Sequence, residues 1–278
     1  MVAVLDVMGF KNLLAPTSDN ISKLNKYFNL IEAFRAFGFS HPQTYQNFPI
    51  DLMAVSDGIV ISVTIENEWS IDKLLNVTAE FFRHVTTLQG SLALTGIWSR
   101  GAVTIGDLFL NVDKSILVGQ AFVNAYSLER DANYPRVIID PKVLKFFSMS
   151  GPKFCKTLQN LGAPIQNFYP SQTIDYGPDD FMQLDWFGNS LGDSIKIDQE
   201  HEKWNISKRS KFELFFKDLK ERQNDGADVF LKTQRLIAYI QRSFSENTEK
   251  YGKQRSADNI FIFNELLELT GIEPFKWS

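Results

Sequence analysis

The sequence predicts an α+β protein: a β-α-β-β-α-β core sheet of ferredoxin-like, palm-type order, with helices on one face and a helical C-terminal elaboration. Three observations carry that expectation. Val2 to Leu5, small and β-branched, is a strand signal. Ile50–Ser56 and Gly58–Ile65 are apolar runs meeting at Asp57-Gly58, a strong hairpin signal. Apolar residues recur at helical spacing between these runs, so hairpin and crossover connections mix.

Taken in order, the first strand gives way to Gly9 and Phe10, then to a segment in which Ile21, Leu24, Phe28 and Ile31 predict a helix. Ser70 is the expected N-cap of a second helix whose stripe is Ile71, Leu74, Thr78, Phe81, Val85 and Leu88. Gly96 to Phe109 reads as a long strand or hairpin arm, and Gly119 to Asp131 as a helix. Pro135 opens Arg136–Asp140, a short buried strand that completes a core expected over 1–140. From Ser148 to Gly192 the chain is rich in Gly, Pro, Asn and Gln and reads as irregular. Beyond Trp204 helices return, one with the stripe Phe230, Thr233, Ile237, Ile240 and Phe244, another with Ile260, Phe263 and Leu267. Residues 141–278 are thus expected to pack on the core as an elaboration.

The 278 residues carry 29 Lys+Arg against 33 Asp+Glu, a formal charge of −4, and 44% are hydrophobic. That balance excludes disorder, and the acidic total argues against duplex nucleic acid as partner, since phosphate binding needs a basic footprint. No apolar run approaches the ~20 residues of a membrane span. Met1 to Asp6 lacks the basic start of a signal peptide, and the lone Cys155 can form no internal disulfide. The expectation is a cytoplasmic protein with neither membrane nor nucleic-acid partner. His41, His84 and His201 lack paired ligand spacing for zinc. Gly101 and Gly106 lack the Lys-Ser/Thr of a phosphate loop, and no Gly-x-Ser-x-Gly elbow occurs.

The informative residues are two acids at strand ends. Asp6 ends the first strand, and Asp57 stands at the hairpin tip. In a β-α-β-β sheet the first strand can lie beside that hairpin, so both carboxylates can converge, and two hard oxygen ligands suit Mg²⁺ or Mn²⁺ carrying a phosphate. Gly9, Phe10 and Lys11 turn into a helix whose first N–H groups suit an anion. Each acid also has a structural reading, Asp6 as a helix cap and Asp57 as an ordinary turn residue.

These residues resemble the class III nucleotidyl cyclases. Asp6-Val7-Met8-Gly9-Phe10 looks like their Asp-x-x-Gly-Phe strand end, and Val55-Ser56-Asp57 like their second metal Asp. Arg100 to Gly106 matches in spacing the strand bearing their triphosphate-binding Arg, and Gly119 to Glu129 their Gly-x-x-(x)-Asn-x-x-x-(Arg)-Leu-Glu helix. The likeness covers Val2 to about Asp140 and is nearest to the short bacterial pyrimidine cyclases of the Pycsar anti-phage systems, which make cyclic UMP or cyclic CMP as a defence signal.

The resemblance implies a homodimer with composite active sites and two divalent ions held by Asp6, Val7 and Asp57. It makes Arg100 the phosphate ligand. Val123 and Ser127 fall where the family has its transition-state Asn and Arg. Asn124, one residue out of register, or Arg130, three beyond Ser127, would then substitute. Met53 and Ile116 stand where purine cyclases place polar base readers, which implies a pyrimidine triphosphate, UTP before CTP, and Tyr126 could stack on the base. Two other readings compete: a diguanylate-cyclase or palm-type enzyme, whose Gly-Gly-Asp/Glu-Glu-Phe cluster is absent here, and a degenerate cyclase fold that binds nucleotide or dimerises without turnover.

Overall fold

The computed structural model describes residues 1–36, 50–161, 165–166, 182–187, 206–222 and 225–251. The sheet is built on β1 (Val2–Val7), whose residues are apolar on both faces and therefore need cover on both. Its neighbours are β3 (Gly58–Val63) and β4 (Ser99–Thr104), each antiparallel to it, and β2 (Ile50–Val55) pairs with β3 at the edge. The order β2-β3-β1-β4 is that of a ferredoxin-like β-α-β-β-α-β unit, and the fold class is α+β. The sheet continues from β4 through the parallel strand β7 (Val137–Ile139) to β9 (Met182–Leu184) and β8 (Ile165–Gln166).

Ala3, Leu5 and Val7 face the main core, where the crossover helices α2 (Ser18–Ala36) and α3 (Ile71–Ala93) cover them. Ser70 caps α3, its side chain accepting from the Lys73 N–H at 3.3 Å, and Thr78, Phe81, Val85 and Leu88 of the expected stripe are buried. In α2 the buried positions are Tyr27 and Ile31, whereas Ile21 and Phe28 of the expected stripe face solvent. Tyr27 and Phe28 are adjacent aromatics, so hydropathy cannot choose between them, and the packing of Tyr27 on Phe10 decides it.

Val2, Val4 and Val60 form the opposite face, closed by Ala121 and Ala125 of α4 (Gln120–Glu129). A helix is thus added on the face that the crossover helices leave open. The arm expected over Gly96–Phe109 breaks at Gly106 (φ +152°), and a separate hairpin forms from β5 (Phe109–Asn111) and β6 (Ile116–Val118).

The segment after Ser148, expected to be irregular, contains a helix. α5 (Pro141–Phe147) is followed by α6 (Gly151–Asn160), which buries Phe154, Cys155 and Leu158 in the main core. Pro152 lies in its first turn, where no backbone N–H is needed. Farther on, α7 (Ile206–Arg222) and α8 (Ala227–Tyr251) build a second core from Trp186, Phe187, Phe215, Phe216, Leu236 and Tyr239. Thr233, Ile237 and Ile240 are buried in α8 as expected, but Phe230 is exposed. The side chain of Phe244 and the stripe Ile260, Phe263 and Leu267 lie outside the described residues. Among the described residues no helix is long and apolar enough to cross a membrane.

Candidate active site

Strand pairing brings the two acids together. Asp6 stands opposite Gly58 of β3 on one side and Arg100 of β4 on the other. One residue on, the Val7 N–H donates to the Asp57 carbonyl at 2.8 Å, which fixes the hairpin tip beside the end of β1. The turn residues are Ser56 and Asp57, with Gly58 already in β3, so the left-handed position falls on Ser56 (φ +57°) and not on the glycine. Tyr27 lies beneath: its hydroxyl donates to the Ser56 carbonyl at 3.4 Å, and its ring packs edge-on against Phe10 at 6.0 Å. One buried side chain of α2 therefore touches both turns.

Charge at the site is arranged around Asp6. Burial raises its pKa, Arg100 opposes that shift, and the negative charge of Asp57 adds to it. The Arg100 Nε lies 3.4 Å from Asp6 Oδ2 and 2.5 Å from Glu129 Oε1, the last residue of α4. Neither Arg100 Nε nor Glu129 Oε1 has an aligned hydrogen bond, so charge holds the pair. Glu129 is buried (4% exposed), and its pKa is raised by burial against the pull of Arg100. The site is thus two acids about one arginine, with Asp57 exposed to solvent beside Asp6.

β4 reaches β1 closely because of Gly101. A Cβ there would lie 2.3 Å from the Val4 carbonyl oxygen, a distance no side chain can accept. Beyond Asp6, Gly9 takes φ +71° and precedes α1 (Phe10–Leu13), a single turn whose dipole is correspondingly small. Gly9 and Lys11 are exposed there, beside the acids in sequence.

The other expected residues are dispersed. Met53 is buried in β2 opposite Val60, on the face that α4 covers. Ile116, 41% exposed, belongs to the separate hairpin. Asn124 accepts at Oδ1 from Gln120 Nε2 at 3.1 Å along α4. Tyr126 and Arg130 are exposed and stack on each other at 5.7 Å. None of these five makes a hydrogen bond or ion pair to Asp6 or Asp57 among the described residues. Glu129 and Tyr27 are the residues that sequence reasoning passed over. A signal existed for the first: a glutamate at a helix C-terminus opposes the macrodipole and calls for a cation.

The donors fit a hard divalent cation. Asp6, Asp57 and the main-chain carbonyl of Val7 are oxygens, and the mutual repulsion of the two carboxylates is what a cation relieves. The described residues hold no group of three or more His, Cys, Asp or Glu suited to a metal, so phosphate or water oxygens would have to complete the shell. No protein-family model matches the chain, and neither does any curated protein.

Proposed function

We propose that the protein is a nucleotidyl cyclase that converts a pyrimidine nucleoside triphosphate, UTP in preference to CTP, to the 3′,5′-cyclic nucleotide and pyrophosphate. The observation that carries this reading is the convergence of Asp6 and Asp57 at one sheet end, with Arg100 directly across the strand from Asp6. The resemblance to class III cyclases supplies the reaction, and its pyrimidine branch supplies the anti-phage signalling role and the cytoplasmic setting.

In this reading the substrate's own 3′-hydroxyl attacks the α-phosphorus and pyrophosphate leaves in line, so the protein needs no nucleophile. Divalent ions at Asp6, Val7 and Asp57 would supply charge neutralisation and a lowered hydroxyl pKa. Arg100 is held through Nε beside Glu129, and its guanidinium is the group that would bind phosphate oxygens. The Asp6–Arg100 contact is looser than the Glu129–Arg100 contact, so the former is the one that would give way were Asp6 to hold a cation. The resemblance sets apolar Met53 where purine cyclases read the base with a polar side chain, which favours a pyrimidine ring.

A second copy of the chain would complete the site. Phe109 and Val118 of the β5–β6 hairpin and Val123 and Tyr126 of α4 are at least half exposed. Exposed apolar side chains of this kind support an interface that brings Asn124 or Arg130 to the partner's acids. One observation favours a non-catalytic binding module instead: Asp6 already has Arg100 as a partner, and Ser127 stands where the family has its arginine.

Incubating the purified protein with each of the four NTPs and Mn²⁺, with cyclic products read by mass spectrometry, separates these readings. Cyclic UMP, with less cyclic CMP and little cyclic AMP or GMP, is expected. Comparable cyclisation of ATP and UTP rejects the pyrimidine assignment. Saturable NTP binding with no product establishes the binding module.

A further inference from the structure

We infer that α7 belongs to the site as a positioning element, acting through Trp98, and is more than a layer packed on the core. Trp98 immediately precedes β4. Its indole Nε1–H donates to Asp218 Oδ2 of α7 at 2.6 Å, and its ring stacks on Phe215 with centroids 5.7 Å apart and planes 20° apart. The Arg222 guanidinium lies 4.7 Å from the same ring, and its Nε reaches Asp218 Oδ2 at 2.8 Å, closing a clasp of four side chains. Trp98 is 4% exposed and its bond to Asp218 is part-buried, so this clasp is a directional attachment 120 residues away in sequence.

The other end of Trp98 touches the acids' strand. Its carbonyl accepts the Met8 N–H at 2.8 Å, while the preceding N–H, that of Val7, holds the Asp57 carbonyl at 2.8 Å. Consecutive amides at the end of β1 thus tie Asp6 to the Asp57 turn on one side and to Trp98 on the other. The Met8 side chain packs against the same aromatic cluster as Trp98 and Phe215. Arg100 lies two residues beyond Trp98, a rise of roughly 7 Å along the strand. Shifting Trp98 therefore moves Arg100 and the end of β1 together. As a device for catalysis the clasp rests on the cyclase reading; as a coupling of α7 to the Asp6 strand end it does not.

Amide hydrogen exchange followed by NMR tests it without substrate. In Asp218→Ala the Met8 amide should exchange about tenfold or more faster, the effect of one lost charge-assisted hydrogen bond, while Val4 and Leu5 in mid-strand stay within about twofold. Asp218→Asn, which keeps an acceptor for the indole, should recover most of the protection. Should Asp218→Ala not fold, Trp98→Phe keeps the stacking, removes the N–H and is read in the same way. An unchanged Met8 amide overturns the inference, and so does equal acceleration of Val4 and Leu5, which marks general destabilisation. In a cyclase assay the same variant should lose about tenfold in kcat/KM, since Arg100 and the acids' strand end move together. A wild type that cyclises no nucleotide defeats the cyclase reading alone, because the exchange data still judge the clasp.

Discussion

Asp6 and Asp57 differ in surroundings although they meet at one point, and substitution should reveal that. Asp57 is exposed, so Asp57→Asn should change stability by less than about 0.5 kcal/mol. Asp6 is partly buried beside a like charge, and Asp6→Asn exchanges a loose contact with Arg100 for relief of that repulsion, leaving stability within about 1 kcal/mol. Both variants should nevertheless lose turnover entirely if the acids hold metal; full activity in either, measured beside its Tm, removes that role. Tyr27 offers a pH test. Burial, with the charge of Asp57 adding to it, raises its phenol from 10.0 to about 12. Between those values the unfolded chain releases a proton that the folded chain keeps, so stability falls as pH rises from 10.0 through about 12. Tyr27→Phe should therefore lose less stability than wild type between about pH 9 and about pH 11 in urea titrations. Equal losses would show that this phenol ionises freely in the fold.

At the scale of elements, the close approach of β4 to β1 is what sets Arg100 against Asp6. Gly101→Ala forces a methyl against the Val4 carbonyl, and the strand must shift; a loss of about 1–3 kcal/mol is expected, read by urea denaturation. A variant as stable as wild type would mean that the strands part without cost. The strands and crossover helices were legible because their periods of two and 3.6 residues are local and Ser70 caps the longer helix. α6 was not, since Gly151-Pro152-Lys153 has loop composition and only the burial of Phe154, Cys155 and Leu158 makes it a helix. The acids were legible for the same local reason: a strand end and a turn tip can be read from sequence. What Arg100 does there was not, because its contact with Glu129 depends on α4 crossing β4 on the face opposite the crossover helices. Pairing between distant elements leaves no period to read.

At the scale of the whole molecule, the exposed apolar residues of the β5–β6 hairpin and α4 are where the proposed second copy would pack. Val118, 64% exposed, extends from a two-stranded hairpin that the main sheet does not include, and such a hairpin is marginal alone. Pairing of two copies through this patch would bury Phe109, Val118 and Val123 together and would set each α4 toward the other chain's acids, on an isologous axis. Val118→Asp places a charge in that contact while leaving both described cores untouched, since Val118 packs in neither. The variant should keep its Tm within a few degrees, run as a monomer in light scattering at micromolar concentration, and lose turnover. Mixing it with an inactive Asp57→Asn chain should restore nothing, because the charge at position 118 keeps the mixed pair from forming. A Val118→Asp monomer that still cyclises nucleotide would place every working residue within one chain, and the roles proposed for Asn124 and Arg130 across an interface would fall with the dimer.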